Sequence, residues 1–247
     1  MSLFRELTAE LPRQSPGSDE ATRRALALAR GLSAHPRILD VGCGPGAQTI
    51  VLAKSTGGEI VAVDLHQSFL DELIHRAGEA EVSSQITPIK GSMFEMDFAE
   101  NSFDLLWSEG AIYIAGFAAG LSTWRRFLKP GGWIAVSELT WLVDNPPAPA
   151  IEYWARNYPG MRSLERNQKI VADASYEDLQ TFVLPAEDWW ENYYGPAEAR
   201  VAELRSKYAN DPGTLAELNE IQREYDLFRE HSKSYGYVFY VMRKPMV

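Results

Sequence analysis

Residues 38–46 read Ile38-Leu39-Asp40-Val41-Gly42-Cys43-Gly44-Pro45-Gly46, and no other stretch constrains the fold as much. An apolar run carrying a single acid describes a strand buried on both faces, as in a parallel sheet covered by helices. Three glycines at alternate positions then permit positive φ and let the backbone approach a ligand closely. The following residues, 47–54, read as a helix whose free N–H groups face whatever lies beyond the turn. Strand, glycine turn and helix make a nucleotide-binding crevice, and the acid at the strand end helps select the nucleotide.

The rest of the chain repeats this rhythm. Strands are expected at 37–41, 59–64, 86–90, 103–108 and 133–138, with helices at 48–55, 67–80 and 119–127. Lys129-Pro130-Gly131-Gly132 reads as a break before the fifth strand. Upstream, Ser18 is a good N-cap for a helix over 18–32, with Asp19 and Glu20 in its first turn. Repeated β–α units of this kind call for a parallel sheet with helices on both faces. After Trp141 the pattern changes: a proline-rich connector at 144–149 leads to helical stretches near 151–157 and 164–174. A sixth strand at 179–184 and an aromatic cluster at 189–194 come next. A charged helical region then runs over 196–232, interrupted at 210–213, and a β-rich run at 235–242 suits a last strand. The chain therefore reads as one domain over 1–247. Its core spans 15–142, helical cap segments cover 143–175 and 186–232, and the last strand is 235–242.

Bulk properties narrow the function. A chain of 247 residues is long enough for one large α/β core. Its net charge of −10 repels a phosphate backbone and argues against nucleic acid as a partner. No apolar run has the length of a membrane helix, and the acidic start carries no export signal. Cys43 is the one cysteine, which excludes an internal disulfide framework and a thiolate metal cluster. A cytoplasmic location is the expectation. The four histidines show no ligand spacing, so no metal site is expected, and no signature sets an oligomeric state.

Gly42, Gly44 and Ala47, with Asp64 later, satisfy a loose dinucleotide fingerprint, so a nicotinamide-dependent oxidoreductase is one reading. Three features favour another. Asp40 precedes the first glycine, where it attracts a cationic group, whereas a dinucleotide brings a negative pyrophosphate. Asp64 ends the second strand, where its carboxylate can accept both hydroxyls of an adenosine ribose. Lys129-Pro130-Gly131-Gly132 turns into a strand with Glu138 near its end.

Together these motifs resemble the class I S-adenosylmethionine-dependent methyltransferases, in particular the small-molecule subgroup that includes the ubiquinone/menaquinone C-methylases. The resemblance covers about residues 15–142. It implies a doubly wound, Rossmann-like α/β sheet of seven strands, mostly parallel with the last antiparallel, and a helical cap insertion. By that likeness Asp40, Gly42, Gly44 and Gly46 surround the methionine half of S-adenosylmethionine, Asp64 holds the ribose, and Leu65 packs on adenine. Gly91-Ser92-Met93 fits the third-strand loop with Ser92 in place of the usual acid, and Met93 covers the adenine ring. The edge Trp107-Ser108-Glu109-Gly110-Ala111-Ile112-Tyr113 lies beside the transferable methyl, which puts Ser108 at the cofactor and makes Glu109 and Tyr113 the catalytic candidates. Residues 14–18, Gly17 among them, fold over the methionine end as an arm.

The implied reaction is methyl transfer to a small-molecule acceptor, yielding S-adenosylhomocysteine. A module that binds the cofactor without turnover is the remaining alternative. Aromatics at 141, 153, 154, 158, 189, 190, 193 and 194 either line an acceptor pocket or pack the cap on the sheet. Asp144-Asn145-Pro146-Pro147-Ala148 follows the fifth strand and lacks the aromatic that stacks a flipped base, so a nucleic-acid amino-methylase is set aside.

Overall fold

The computed structural model describes residues 3–8, 11 and 13–246. In chain order its elements are α1 (Leu3–Thr8), α2 (Asp19–Leu28), β1 (Arg37–Val41), α3 (Ala47–Ser55), β2 (Glu59–Asp64) and α4 (Gln67–Glu79). Then come β3 (Ile86–Lys90), β4 (Phe103–Ser108), α5 (Ile112–Ala115), α6 (Phe117–Trp124), β5 (Leu128–Trp141), α7 (Ala148–Asn157) and β6 (Arg162–Ser163). The chain closes with α8 (Leu164–Asp173), β7 (Glu177–Val183), α9 (Ala186–Trp189), α10 (Gly195–Lys207), α11 (Pro212–His231) and β8 (Tyr235–Arg243).

The sheet runs β3-β2-β1-β4-β5-β8-β7. Strands β1 to β5 pair in parallel, whereas β8 is antiparallel to both β5 and β7. This is the expected seven-stranded sheet with an antiparallel last strand. The two-residue β6 adds an eighth, pairing with the end of β5. Strand order reverses between β1 and β4, and a ligand crevice in an open α/β sheet forms outside the carboxyl ends at that switch point.

Apolar residues on both sides of the strands explain the two large cores. One holds Ile38, Ile60, Leu105 and Trp107 together with cap residues such as Trp189 and Phe228. The other holds Leu39, Val61, Leu106 and Val136 against Leu121 and Trp124 of α6.

Four expectations shift. Lys129 to Gly132 do not precede β5 but loop out within it: Phe103 pairs with Leu128 and Leu105 with Trp133, and Gly131 takes φ +74° to make the bulge. The helix capped by Ser18, whose hydroxyl accepts from the Ala21 N–H at 3.0 Å, ends at Leu28, ahead of the left-handed Gly31. The helix expected over 119–127 is shorter, because its last three residues tighten into a 3₁₀ turn. The stretch 164–174 was expected in the cap, but α8 packs on the sheet, with Val171 in the same core as Tyr240 and Met242. The cap proper is α7 with α9–α11, against which α1 also packs.

Candidate active site

A cavity of about 310 Å³ opens at the switch point. Its floor is the glycine turn, Gly42 to Pro45, followed by Ala47 and Gln48 of α3. Two of the turn's glycines are obligatory on steric grounds. Gly42 (φ +74°) and Gly46 (φ +85°) sit in the left-handed region, and a Cβ would press on Ala111 at the first and on Leu73 at the second. Gly46 also starts α3 without any side-chain cap, which leaves the first N–H groups of that helix directed outward.

Asp64 and Leu65 form one wall and Ser92, Met93 and Phe94 another, with Glu109, Gly110, Ala111 and Tyr113 closing the far side. Each oxygen of Asp64 accepts one backbone N–H, from Gly44 at 3.0 Å and from His66 at 2.8 Å. The carboxylate thus ties the glycine turn to the start of α4 and keeps lone pairs facing the cavity. Leu65 and Phe94 stand 61% and 64% exposed, so this rim offers apolar surface that a planar ligand would cover.

The remaining predicted residues divide. Ser92 and Met93 line the cavity; the Ser92 hydroxyl accepts from the Phe94 N–H at 3.2 Å. Asp40 does not reach the ligand space. It is fully buried beneath the turn, where its Oδ2 accepts from the Thr49 hydroxyl at 2.6 Å and the Gln48 amide at 3.2 Å. Burial outweighs these hydrogen bonds and lifts its carboxyl to about 7. Gln48 bonds to Asp40 and lines the cavity, so it is the residue that carries Asp40's influence there. Ser108 is likewise buried, its hydroxyl donating to the Val41 carbonyl at 2.9 Å. Cys43 is a buried free thiol whose pKa is driven well up by desolvation.

Arg13, Gln14 and Ser15 line the cavity. Gly17 does not; it sits against the Arg13–Glu109 pair, where a Cβ would collide with the carboxylate. Glu109 is nearly inaccessible and fully engaged. Its Oε1 accepts from the Arg13 guanidinium at 2.8 Å, and its Oε2 from Thr22 at 3.0 Å and the Trp107 indole at 3.2 Å. Burial outweighs the pull of Arg13 and leaves this carboxyl raised. Such a group anchors the arm: three hydrogen bonds and an ion pair hold it in place at the cavity wall. Arg13 reaches Asp19 as well, at 3.0 Å.

Tyr113 has a different place. It is 42% exposed and lines both this cavity and a second one of about 240 Å³, sharing that wall with Gln14, Ser15 and Gly110. The second cavity lies under the cap, and Tyr113 meets Tyr158 there edge to face at 5.8 Å. Arg13, Phe69 and Glu224 belong to these walls and went unmarked in the sequence. Arg13 pairs across 96 positions, a separation no local motif encodes. Phe69, one turn beyond Leu65, was within reach of a helical-face argument.

The residues fit an adenosyl sulfonium better than a pyrophosphate. The acceptor Asp64 stands at one end and apolar walls flank it. Among the described residues the cavity's one arginine, Arg13, is already committed to Glu109 and Asp19. Among the described residues, no group of three or more His, Cys, Asp or Glu could hold a metal, and no helix is long and apolar enough to cross a membrane.

Comparison with known proteins agrees. Residues 38–132 match the family described as Methyltransferase domain. A sterol 24-C-methyltransferase of Yarrowia lipolytica is 34% identical over 121 residues, 49% of this chain and 31% of that protein. The O-methyltransferase resE of Aspergillus sclerotiorum is 27% identical over 194 residues, 75% of this chain and 74% of the relative. Among solved structures, a methyltransferase from Thiobacillus denitrificans in complex with S-adenosylhomocysteine superposes with a TM-score of 0.81 at 20% identity, covering 98% and 97% of the two chains. The chain thus spans about a third of the sterol methyltransferase it matches and nearly all of the bacterial structure. The match to the methyltransferase domain family covers residues 38–132, and the fold as a whole is the one seen in the Thiobacillus structure.

Proposed function

We propose that this protein transfers a methyl group from S-adenosylmethionine to a small molecule held under the cap. The observation that carries the reading is the pair of adjoining cavities. One is walled by the glycine turn, Asp64 and Met93, the other by cap aromatics, and they meet at Tyr113 and Gly110. When bound, the cofactor supplies an electrophilic methyl on a sulfonium.

Residue roles follow from position. Asp64 accepts from the ribose hydroxyls, and Leu65, Ser92 and Met93 border the adenine. The turn of Gly42, Gly44 and Gly46 lies under the methionine half, with Asp40 acting there through Gln48. Arg13, locked to Glu109, holds the arm over that half and excludes water from it. Tyr113 faces the acceptor and sets its approach. Alignment of nucleophile, methyl and sulfur recovers about 7–11 kcal/mol of barrier, so catalysis needs no obligate base here.

Titration calorimetry with S-adenosylhomocysteine and with a pyridine dinucleotide tests the reading. Saturable binding of the first alone is expected, and binding of the second alone would overturn it. Incubation with methyl-labelled cofactor and a library of candidate acceptors then separates an enzyme, which yields labelled product, from a module that only binds.

A further inference from the structure

The second cavity is built for positive charge. Its walls include Trp154, Tyr158, Trp189, Tyr193, Tyr194 and Tyr237, and among the described residues Glu224 is its one charged lining residue. Aromatic faces attract cations through their quadrupoles, and several rings around one volume favour an ammonium group. Tyr193 and Tyr194 are brought to the wall by a five-residue π-helical turn, Trp190–Tyr194, an element that recurs at functional sites.

Glu224 accepts hydrogen bonds from Tyr194 at 2.7 Å and Tyr153 at 3.0 Å. Both phenols are held well above their ordinary pKa, so they donate; burial still raises the Glu224 carboxyl, and a cation seated beside it would restore its charged form. Among the described residues no ion pair reaches it; Arg223, its neighbour in sequence, turns to Glu220 at 3.9 Å. A second carboxylate lies behind Tyr158, which donates to Glu138 Oε1, while Glu138 Oε2 is buried with no partner. Trp189 Nε1, also unpartnered, completes a wall whose polar valences are not closed by protein. Arg162 acts on Glu138, so Glu224, ringed by aromatics and without an ion pair among the described residues, is the carboxylate that a cation from outside would balance.

We infer that the methyl acceptor is a tertiary amine that enters as the free base, its nitrogen seated among these rings with Glu224 as counter-ion of the ammonium product. The inference rests on the function proposed above and deepens it. The nitrogen lone pair of the free amine forms the new N–C bond and the S–C pair stays on sulfur. The positive charge therefore passes from sulfur to nitrogen, into the aromatic cavity. A tertiary amine gives a quaternary ammonium product and releases no proton, so the step needs no base.

The test uses the full chain saturated with S-adenosylhomocysteine, whose own binding isotherm reports independently on the function proposed above. Choline and its neutral carbon isostere 3,3-dimethyl-1-butanol are titrated by calorimetry, with tryptophan fluorescence as a second signal. Choline is expected to bind at least tenfold tighter than the isostere. Glu224→Gln is expected to erase that preference and leave the homocysteine isotherm unchanged. Equal affinities in the wild-type protein, or no saturation by choline when S-adenosylhomocysteine binds normally, would overturn the inference whatever the fate of the variant.

Discussion

Asp64 serves two demands with one carboxylate: it fastens Gly44 and His66 through their N–H groups, and it faces the cavity in which we propose the ribose sits. Replacement by alanine removes the ribose acceptor, and hydrogen bonds to a charged group are worth about 1.5–3 kcal/mol. Cofactor affinity measured by calorimetry should therefore fall roughly 10- to 150-fold in a variant that stays folded. Unchanged affinity would move the ribose elsewhere. Gly46→Ala makes a different prediction, because the loss is in stability. A left-handed residue with a Cβ costs about 1–2 kcal/mol, and overpacking against Leu73 about 1–3 more; a lower urea midpoint with an unaltered slope is the expected reading. At this scale the glycine motif and Asp64 were legible because their chemistry is local. Asp40 and Ser108 sit behind the cavity wall for an equally physical reason. Spacing locates a strand end, but the pleat alternates side chains between faces, and it carries both of these into the packed interior.

The decisive element for the crevice is the arm, because a buried ion pair holds it. Arg13 and Glu109 are 7% and 1% exposed in their side chains. Removing one partner of such a pair strands a charge, which typically costs 3–5 kcal/mol. Arg13→Ala should therefore lower the melting temperature and weaken cofactor binding together. Glu109→Gln discriminates between anchor and base. As an anchor it should raise the cofactor KM and leave kcat within about tenfold, whereas loss of a general base would cut kcat by roughly 10²–10⁴. The helices and strands themselves were largely readable from periodicity, and even the interruption near Asp211 appears as an N-cap accepting from Gly213 and Thr214. What periodicity does not encode is partnership. Nothing in residues 164–174 says whether an amphipathic helix covers a sheet or a cap, and nothing in a lysine-proline-glycine-glycine run distinguishes a strand's start from a bulge inside one. The cap aromatics were legible as pocket wall or packing, but which of them face one cavity, and that Glu224 joins them there, follows only from the convergence of α7, the π turn and α11.

For the whole molecule the consequence is an unusual response to pH. Asp40 and Glu138 are both lifted to about 7, chiefly by burial, and Glu109 and Glu224 are raised too. Between the ordinary carboxylate range near 4 and pH 7 the folded protein therefore holds more protons than the unfolded chain. Stability changes with pH as the protons bound unfolded minus those bound folded, so across this window the slope is negative. The stabilisation is fully present below the unfolded pKa and is lost as pH rises through the folded one. The ligand-free protein should melt higher at pH 5.5 than at pH 8, by an amount on the order of a few kcal/mol in unfolding free energy. Carboxylates held low, Glu6 and Glu198 among them, act in the opposite sense only at more acid pH. Glu138→Gln should flatten the slope by removing one of the two large contributors. A wild-type melting temperature that rises steadily from pH 5.5 to 8 would show that these carboxyls are ionised at little cost, and that the cap already holds the counter-charge assigned here to its ligand.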